Sequence, residues 1–598
     1  MTKYGITSLL ILLFASAFGQ NEVIDVSFLK PVNGIKYFPD VEGKVVVEPG
    51  FYQYLFSEEG RDEVPVFEGW PMSFGGSNEC GGVYGNLDDD PDLEIIYPVG
   101  SLLYALNIDR SAVDGWPKTL DFPTDGAASY GDIDGDGEGE IVVTTHQVGS
   151  FAFGTLYAFE ADGSDVPGFP VPTEGGGVRT PALADLDADG ALEIIITVRD
   201  WPDGLVYVFS GNGSIYPGWP VRMDYVPGSS AAVSDINSDG VPEIVAESYY
   251  GLHVFNPDGG LLEGFPYYPG LGRVFSYSAP VLADLDGDGN REIICGDHSI
   301  ENGTGAVHIV ENDGNSWLQW PKFTTSWVYG PPSVGDIDND GQLDIAVGDQ
   351  TLSSSPVNQV YAWTALTGEP LQGFPIAEVF GINSQIILAD LDGDLRIELL
   401  TADNTATGAY GQYPGFNHDG TRMDDWLLKT LGSTFFINPL VFDINNDGIL
   451  DISGGGTDPG ENATSIYLWN AGVDYVRELA VLPILQYNTR HNGVYGDVFM
   501  VGMEEGGKGN EQKRGIVLYP DPASSFITIR FTEIEDNLRS EDLQFTVYDL
   551  AGNALIKSTQ QESMKYFTMD ISALASAVYV LSVEWAGGRK ESCKFLVY

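Results

Sequence analysis

Basic residues are scarce: 28 Lys and Arg face 87 Asp and Glu in 598 residues, a formal net charge of −59. So acidic a chain repels phosphate backbones and anionic lipid surfaces, which excludes nucleic acid as a partner and leaves cations as the natural counterpart. Cysteine is scarce too. Cys80, Cys295 and Cys593 lie far apart and build no disulfide framework, so each reads as a small apolar side chain. Beyond the N-terminus no apolar run reaches the roughly 18 residues of a membrane span. The six histidines, 146, 253, 298, 308, 418 and 491, show no metal-ligand spacing, and HExxH, GxSxG and Walker A patterns are absent. His253 and His308 fall in predicted strands, which suits core or surface roles. No enzyme motif is visible.

The one apolar run is short. MTKYGITSLLILLFASAFGQ combines Lys3, an apolar stretch from Ile6 to Phe14 and small residues up to Gly19. That pattern predicts a signal peptide over 1–19, a mature chain starting near Gln20 and a leader segment over 20–63.

What the chain has in abundance is one acidic motif. GDIDGDGEGE (131–140) crowds Asp132, Asp134, Asp136 and Glu140 into nine residues, with nothing basic in its flanks. Two unit charges about 6 Å apart repel by roughly 0.7 kcal/mol even in water. A bound cation is the simplest compensation. The motif recurs as GNLDDDPDLE, ADLDADGALE, SDINSDGVPE, ADLDGDGNRE, GDIDNDGQLD, ADLDGDLRIE and FDINNDGILD, the eight copies starting at 86, 132, 185, 235, 284, 336, 390 and 443.

The mean spacing is 51 residues, a period typical of propellers, solenoids or arrays. An apolar stretch precedes each copy, a β-rich run follows it, and a further alternating strand and an aromatic-Pro pair complete the unit. Three or four short antiparallel strands per period make one propeller blade. The expected fold is all-β: a propeller over 64–490, eight blades favoured and seven possible, or an open array. The first Trp-Pro pair precedes the first acidic loop, whereas IYLWNAG (466–472) follows the last. An N-terminal strand near 64–70 is therefore expected to complete the last blade. The Trp-Pro and Phe-Pro pairs are expected to pack between blades.

Numbered from its first acid, each loop brings side chains from positions 1, 3 and 5 together, offers a carbonyl at position 7 and closes with a carboxylate at position 9. An all-oxygen shell suits Ca²⁺ and not a transition metal. Position 6 is Gly in six copies, where the chain must turn, and position 2 is always Leu or Ile, which anchors the loop in the core. An EF-hand is excluded, because its closing Glu lies at position 12 between helices.

These loops resemble the FG-GAP repeats of integrin-type propellers, whose D-x-D-x-D-G-x-x-D loops bind calcium. The resemblance implies as metal ligands Asp88, Asp90 and Glu94 in the first copy and Asp132, Asp134, Asp136 and Glu140 in the second. The third and fourth would supply Asp185, Asp187, Asp189 and Glu193, then Asp235, Asn237, Asp239 and Glu243. Asp284, Asp286, Asp288 and Glu292 follow in the fifth, and Asp336, Asp338, Asp340 and Asp344 in the sixth. The last two would use Asp390, Asp392, Asp394 and Glu398, then Asp443, Asn445, Asp447 and Asp451. Pro91 and Leu395 replace the glycine in copies one and seven, which sets those two sites apart as the weakest. The calcium would be structural, joining two strands of a blade.

Past Leu482 the repeat stops, and a linker is expected over 491–514, Gly-rich in its second half. An all-β module follows at 515–598 with VLYPDPASSFITIRF, FTVYDLAGNALIKS and MDISALASAVYVLSVEW. It is similar to the type IX secretion sorting domain, a β-sandwich that escorts cargo across the outer membrane, so the secretion machinery is an implied partner. Asp521 and Ala577 stand where that family has Asn and Gly.

The segments flanking the propeller are too short for a separate catalytic domain. Ligand contacts would fall on the connections between second and third strands, 199–204, 296–305, 348–359, 402–425 and 454–465, which share one rim. The leading expectation is a secreted or surface protein for adhesion or for binding protein or glycan, without catalysis. A secreted calcium-dependent polysaccharide lyase on the same scaffold and a structural component of a surface layer are the alternatives.

Overall fold

The β-branched runs that follow each acidic loop become the inner strands of small antiparallel sheets. Glu193–Asp200 (EIIITVRD) and Glu292–Ser299 (EIICGDHS) are typical: buried on both faces, they carry continuous apolar runs instead of alternation. The outermost strands do the opposite. Val171–Glu174 and Met72–Gly75 are short and set exposed positions between buried or partly buried ones, and Val171–Glu174 adds Pro172 and Glu174, which blunts a sheet edge against further pairing.

In this computed structural model the described residues are the short strand pair Tyr37–Pro39 and Val45–Val47, residues 64–497 apart from a few loop positions, and the strands within 516–597 with some neighbours. The predicted signal peptide, most of the leader and the stretch 498–515 lie outside them. No α-helix occurs among the described residues; one 3-10 turn spans Arg477–Leu479.

Each repeat folds as one antiparallel unit of consecutive strands. The second unit is the simplest: Ser129–Gly131, Glu140–Thr144, Phe153–Phe159 and Val171–Glu174 pair in chain order. Its acidic loop joins the first strand to the second. The seventh unit is the least regular. Its second strand, Glu398–Leu400, breaks at Thr401 and resumes as Asp403–Asn404, so its strands fall into two three-stranded sheets. In the eighth unit the outermost strand comes from the other end of the chain: Met72–Gly75 pairs antiparallel with Ala463–Asp474, Met72 opposite Ile466.

Neighbouring units are tied by the aromatic-Pro corners. The Trp70 indole N–H donates to the Ile108 carbonyl, Trp116 to Ala161, Trp219 to Pro257 and Trp320 to Ala365, each at 2.8–3.0 Å. These corners therefore pack between units as expected. Gly115, at φ +91°, shows why the residue before such a corner is small: a Cβ there would lie 1.9 Å from the Asp162 carbonyl of the next unit.

Two expectations about connections are corrected. Residues 454–465 and 402–425 do not form long loops. Strands Ile449–Asp458 and Ala463–Asp474 leave only a four-residue turn at 459–462, and 402–425 contains Tyr410–Tyr413 and Gly415–Phe416. Glycine in these stretches marks close packing instead: a Cβ on Gly454 would meet the Tyr413 and Trp469 rings.

The segment expected to start a linker at 491 is also corrected. Residues 482–494 run across the inner edges of the units. The N–H groups of Tyr130, Leu183, Val233 and Leu282 donate to the carbonyls of Thr489, Arg490, Asn492 and Gly493 at 2.8–2.9 Å. The Val334 N–H donates to the Tyr487 hydroxyl at 2.8 Å, Val441 bonds Pro483, and Leu388 pairs with Leu482. These seven residues are the middle residues of the first strands of units two to eight. Gln486, Tyr487, Asn488, Thr489 and His491 are fully buried. The segment's polar composition resembles a linker's, but it spends its carbonyls on the N–H groups of strand edges.

The C-terminal strands form a three-stranded sheet, with Ile516–Tyr519, Phe526–Phe531 and Tyr566–Asp570, and a four-stranded one, with Asp542–Tyr548, Ala554–Gln561, Ala577–Trp585 and Lys590–Val597.

Candidate metal centres and the sorting tail

Each acidic loop is shaped by three recurring hydrogen bonds. The position 2 N–H donates to the carboxylate at position 9 in all eight copies: Leu87 to Glu94 at 2.6 Å, Ile133 to Glu140 at 2.7 Å, Leu186 to Glu193 at 2.9 Å and so on to Ile444 and Asp451 at 3.1 Å. The position 7 N–H donates to the carboxylate at position 5, as Glu138 does to Asp136 and Ala191 to Asp189. The position 6 N–H donates to the carboxylate at position 1 in copies two to eight, as Gly137 does to Asp132 at 2.9 Å. Position 2 itself is buried, Ile133 and Leu391 completely, which fixes the loop to the core.

These bonds hold the carboxylates together. Ligand oxygens lie within 4.8 Å of one another for Asp88, Asp90 and Glu94; for Asp132, Asp134 and Asp136; for Asp185, Asp187 and Glu193; and for Asp284, Asp286 and Asp288. Asp390, Asp392, Asp394 and Glu398 form a group of four. The seventh copy thus assembles a full carboxylate set although it lacks the glycine. Leu395 adopts φ +69°, close to the +82° to +98° of the glycines in the other copies, and its N–H still reaches Asp390 at 3.1 Å. The first copy departs further, because a proline cannot take positive φ and Asn86 stands at position 1.

The carboxylate at position 9 sits at the foot of the loop, at most 4% exposed in every copy. Burial pushes these groups up. Glu94, Glu140 and Asp344 rise to about 8 and Glu398 to about 9, while Glu193, Glu243, Glu292 and Asp451 rise to about 7. The position 2 N–H opposes the shift and the other loop carboxylates add to it. One oxygen of Glu140 and one of Asp344 are buried without a hydrogen-bond partner. A buried acid with an idle oxygen, facing further carboxylates and no cation of the chain, fits a missing positive ion. The donor set is all oxygen, which selects a hard divalent cation.

Elsewhere, Asp297 and His308 pair at 2.8 Å, with Arg273 on Asp297 and the Tyr267 hydroxyl 3.0 Å from His308 Nδ1. Burial alone would raise Asp297, yet the bonds from Arg273 and His308 hold it below the usual range. Asp297 and His308 are at most 1% exposed, so this network is built into the fifth unit and faces no open cleft. Three residues on three strands gave no sequence signal. His253 and His308 lie in strands and are buried, as expected, and Cys80 and Cys295 are buried and outside any disulfide.

The fold and its loops define a repeat protein of known type. The chain carries FG-GAP-like repeats, matched at 132–196 and 284–347, and a secretion system C-terminal sorting domain, matched at 517–598. That tail marks the protein for type IX export, to the cell surface or beyond it. No curated protein sequence matches the chain. Among solved structures it is similar to the V. cholerae biofilm matrix protein Bap1, at 14% identity over 72% of this chain and 96% of that one, TM-score 0.47. It is also similar to Saccharomyces cerevisiae Sqt1, at 12% identity over 68% and 99%, TM-score 0.46. None of the described helical turns is long and apolar enough to cross a membrane.

Proposed function

We propose that the chain is an exported eight-bladed propeller, stapled by calcium in its acidic loops, that binds a protein or glycan ligand without catalysis. One observation supports the ring: a single buried segment, 482–494, bonds the first strands of seven units, as strands converging on one axis would. The pairing of Met72–Gly75 with Ala463–Asp474 then joins the two ends of the repeat region in the eighth blade. Calcium follows from the oxygen-only loops and their buried acids; it would neutralise carboxylates that burial otherwise forces towards protonation. Asp132, Asp134, Asp136 and Glu140 would hold it in the second blade, and their counterparts in the others. Its role is to fasten the first strand to the second.

Binding is the reading because exposed aromatic side chains collect on the rim away from the metal loops, and because the Arg273–Asp297–His308 network is buried. The experiment is a binding and turnover assay of the full chain on a panel of glycans, pectins and surface proteins, with calcium and with chelator. Retention of ligand without product supports the reading. Release of unsaturated sugar products would make the protein a lyase and defeat it.

A further inference from the structure

In an antiparallel blade the acidic loops share one rim with the turns between third and fourth strands. The connections between second and third strands, and those that lead to the next blade, share the other. On that second rim the aromatic rings form a continuous track. Trp201, 72% exposed, lies edge-on to Tyr225 at 5.4 Å, and Tyr225 lies 4.9 Å from Tyr250 and 5.6 Å from Tyr249. Tyr249 leads to His298 at 6.3 Å, His298 to Trp327 at 4.3 Å and Trp327 to Tyr329 at 5.5 Å. Tyr329 then meets Tyr277 at 5.0 Å and Phe436 at 6.2 Å. The track crosses blades three to six and reaches the eighth, where first strands converge.

At its inner end sits a cation. The Arg179 guanidinium lies 4.2 Å over Phe436 and 5.3 Å over Tyr277, while Arg199 lies 4.7 Å over Phe151. Arg179, Tyr277 and Phe436 stand just before the first strands of their blades, and all three hold left-handed backbone, at φ +66°, +65° and +58°. Strain of this kind, at three converging non-glycine residues, is what a preorganised ligand site stores. Arg179 Nη1 also donates to the Asp125 backbone carbonyl at 3.2 Å, which helps to fix the guanidinium in place, while the Asp125 carboxylate lies 3.6 Å from His146.

Core aromatics of this chain, such as Tyr84, Tyr97 and Tyr413, are fully buried, whereas most rings of the track are half-buried or exposed. Flat apolar faces edged by hydroxyl, imidazole and indole groups match the C–H faces and hydroxyls of sugar rings. A guanidinium held flat over two rings matches a carboxylate, which it binds through paired N–H donors. In a chain with 28 basic residues against 87 acidic ones, two arginines at one mouth set that spot apart for an anion.

We propose that this rim binds a carboxylated polysaccharide, its sugar rings lying along the track from Trp201 to Phe436 and a carboxylate meeting Arg179. The inference rests on the binding function proposed above and names its ligand class and site. The test uses the full chain at micromolar free calcium, with short oligomers of polygalacturonate, alginate and hyaluronan, each beside its carboxyl-reduced form, by calorimetric titration. At least one carboxylated oligomer should bind on the order of tenfold more tightly than its reduced form. Trp201→Ala and Tyr250→Ala, at exposed positions and with unchanged melting curves, should each weaken it by about tenfold. Arg179→Gln should remove the preference for the carboxylated form, and Arg179→Lys, which keeps the charge, should retain part of it.

Binding of none of the carboxylated oligomers overturns the inference. So does equal binding of reduced forms, or wild-type affinity in both Trp201→Ala and Tyr250→Ala. Those results leave a binding function for another ligand intact if the wider panel retains a protein or neutral glycan; turnover of a polymer defeats both.

Discussion

The Leu93 N–H donates to the Ile444 carbonyl at 2.7 Å, joining the acidic loop of the first repeat to that of the eighth. The same bond runs from Arg291 to Ile236, and Leu192 makes its counterpart one position earlier, to Asp132, so consecutive loops are joined alike. First and last units are therefore neighbours in the same sense as second and third, and what stabilises one loop steadies the loop beside it.

That coupling makes metal removal a global event. Chelator should lower the melting temperature strongly and raise protease sensitivity of residues 64–497, because an ion held by the folded loops stabilises the native state alone. Differential scanning calorimetry with and without calcium checks this. An unchanged transition in excess chelator would contradict the metal reading.

The buried acid at position 9 separates charge from shape. Glu140→Gln keeps an acceptor for the Ile133 N–H but removes the charge that burial disfavours. In chelator the variant should melt at or above wild type. In calcium it should lose part of the calcium-induced rise in Tm, so the two proteins exchange order between the two conditions.

Leu395 holds a left-handed conformation that costs an L-residue about 1 kcal/mol. Leu395→Gly should raise stability by roughly that amount in urea unfolding while calcium stoichiometry stays unchanged. A loss of stability would mean that the Leu395 side chain contributes more than its 40% exposure suggests.

Tyr487 tests the central segment. Its hydroxyl serves both the Val334 N–H at 2.8 Å and the Val334 carbonyl at 3.3 Å. Tyr487→Phe should cost about 1–3 kcal/mol, since a buried N–H is left unpaired. Removing residues 516–598 should leave the melting transition of the repeat body in place, whereas ending the chain at 482 should abolish it.

His491, fully buried between the Leu485 and Ala128 carbonyls, is pushed down to about 4 by its burial. The native state therefore binds fewer protons than the unfolded chain between pH 6.5 and pH 4. Its contribution is present above pH 6.5 and is lost as pH falls through that window. His491→Gln should be less stable than wild type at pH 7, and the gap should shrink on acidification, by an amount on the order of 3 kcal/mol at pH 4. A gap constant from pH 7 to pH 4 would show that His491 does not titrate there.

The repeat, its strands and its acidic loops were legible because they are local: eight acidic loops with an apolar position 2 state both spacing and burial. In the seventh loop the sequence shows Leu395 in place of glycine, but not that the loop's hydrogen bonds hold Leu395 left-handed and bring its four carboxylates together. The segment 482–494 gave no signal, because its partners are the first strands of seven units and its own pattern has no period. The Arg273, Asp297 and His308 network was hidden for the same reason. Likewise, Arg179, Tyr277 and Phe436 share no motif; only the convergence of first strands makes them neighbours.

The segment that bonds seven first strands also sets how the molecule takes mechanical tension. A pull transmitted from beyond Asp497, where the sorting tail follows, enters at the axle of the wheel and not at its tread. Bonds to Tyr130, Leu183, Val233 and Leu282 are then strained together with those to Val334, Leu388 and Val441, so the tension divides among blades in place of unzipping one. A tether attached through the outer strand Met72–Gly75 would meet one sheet edge and peel it strand by strand. The route by which the chain is exported thus pulls on the segment that touches the most repeats.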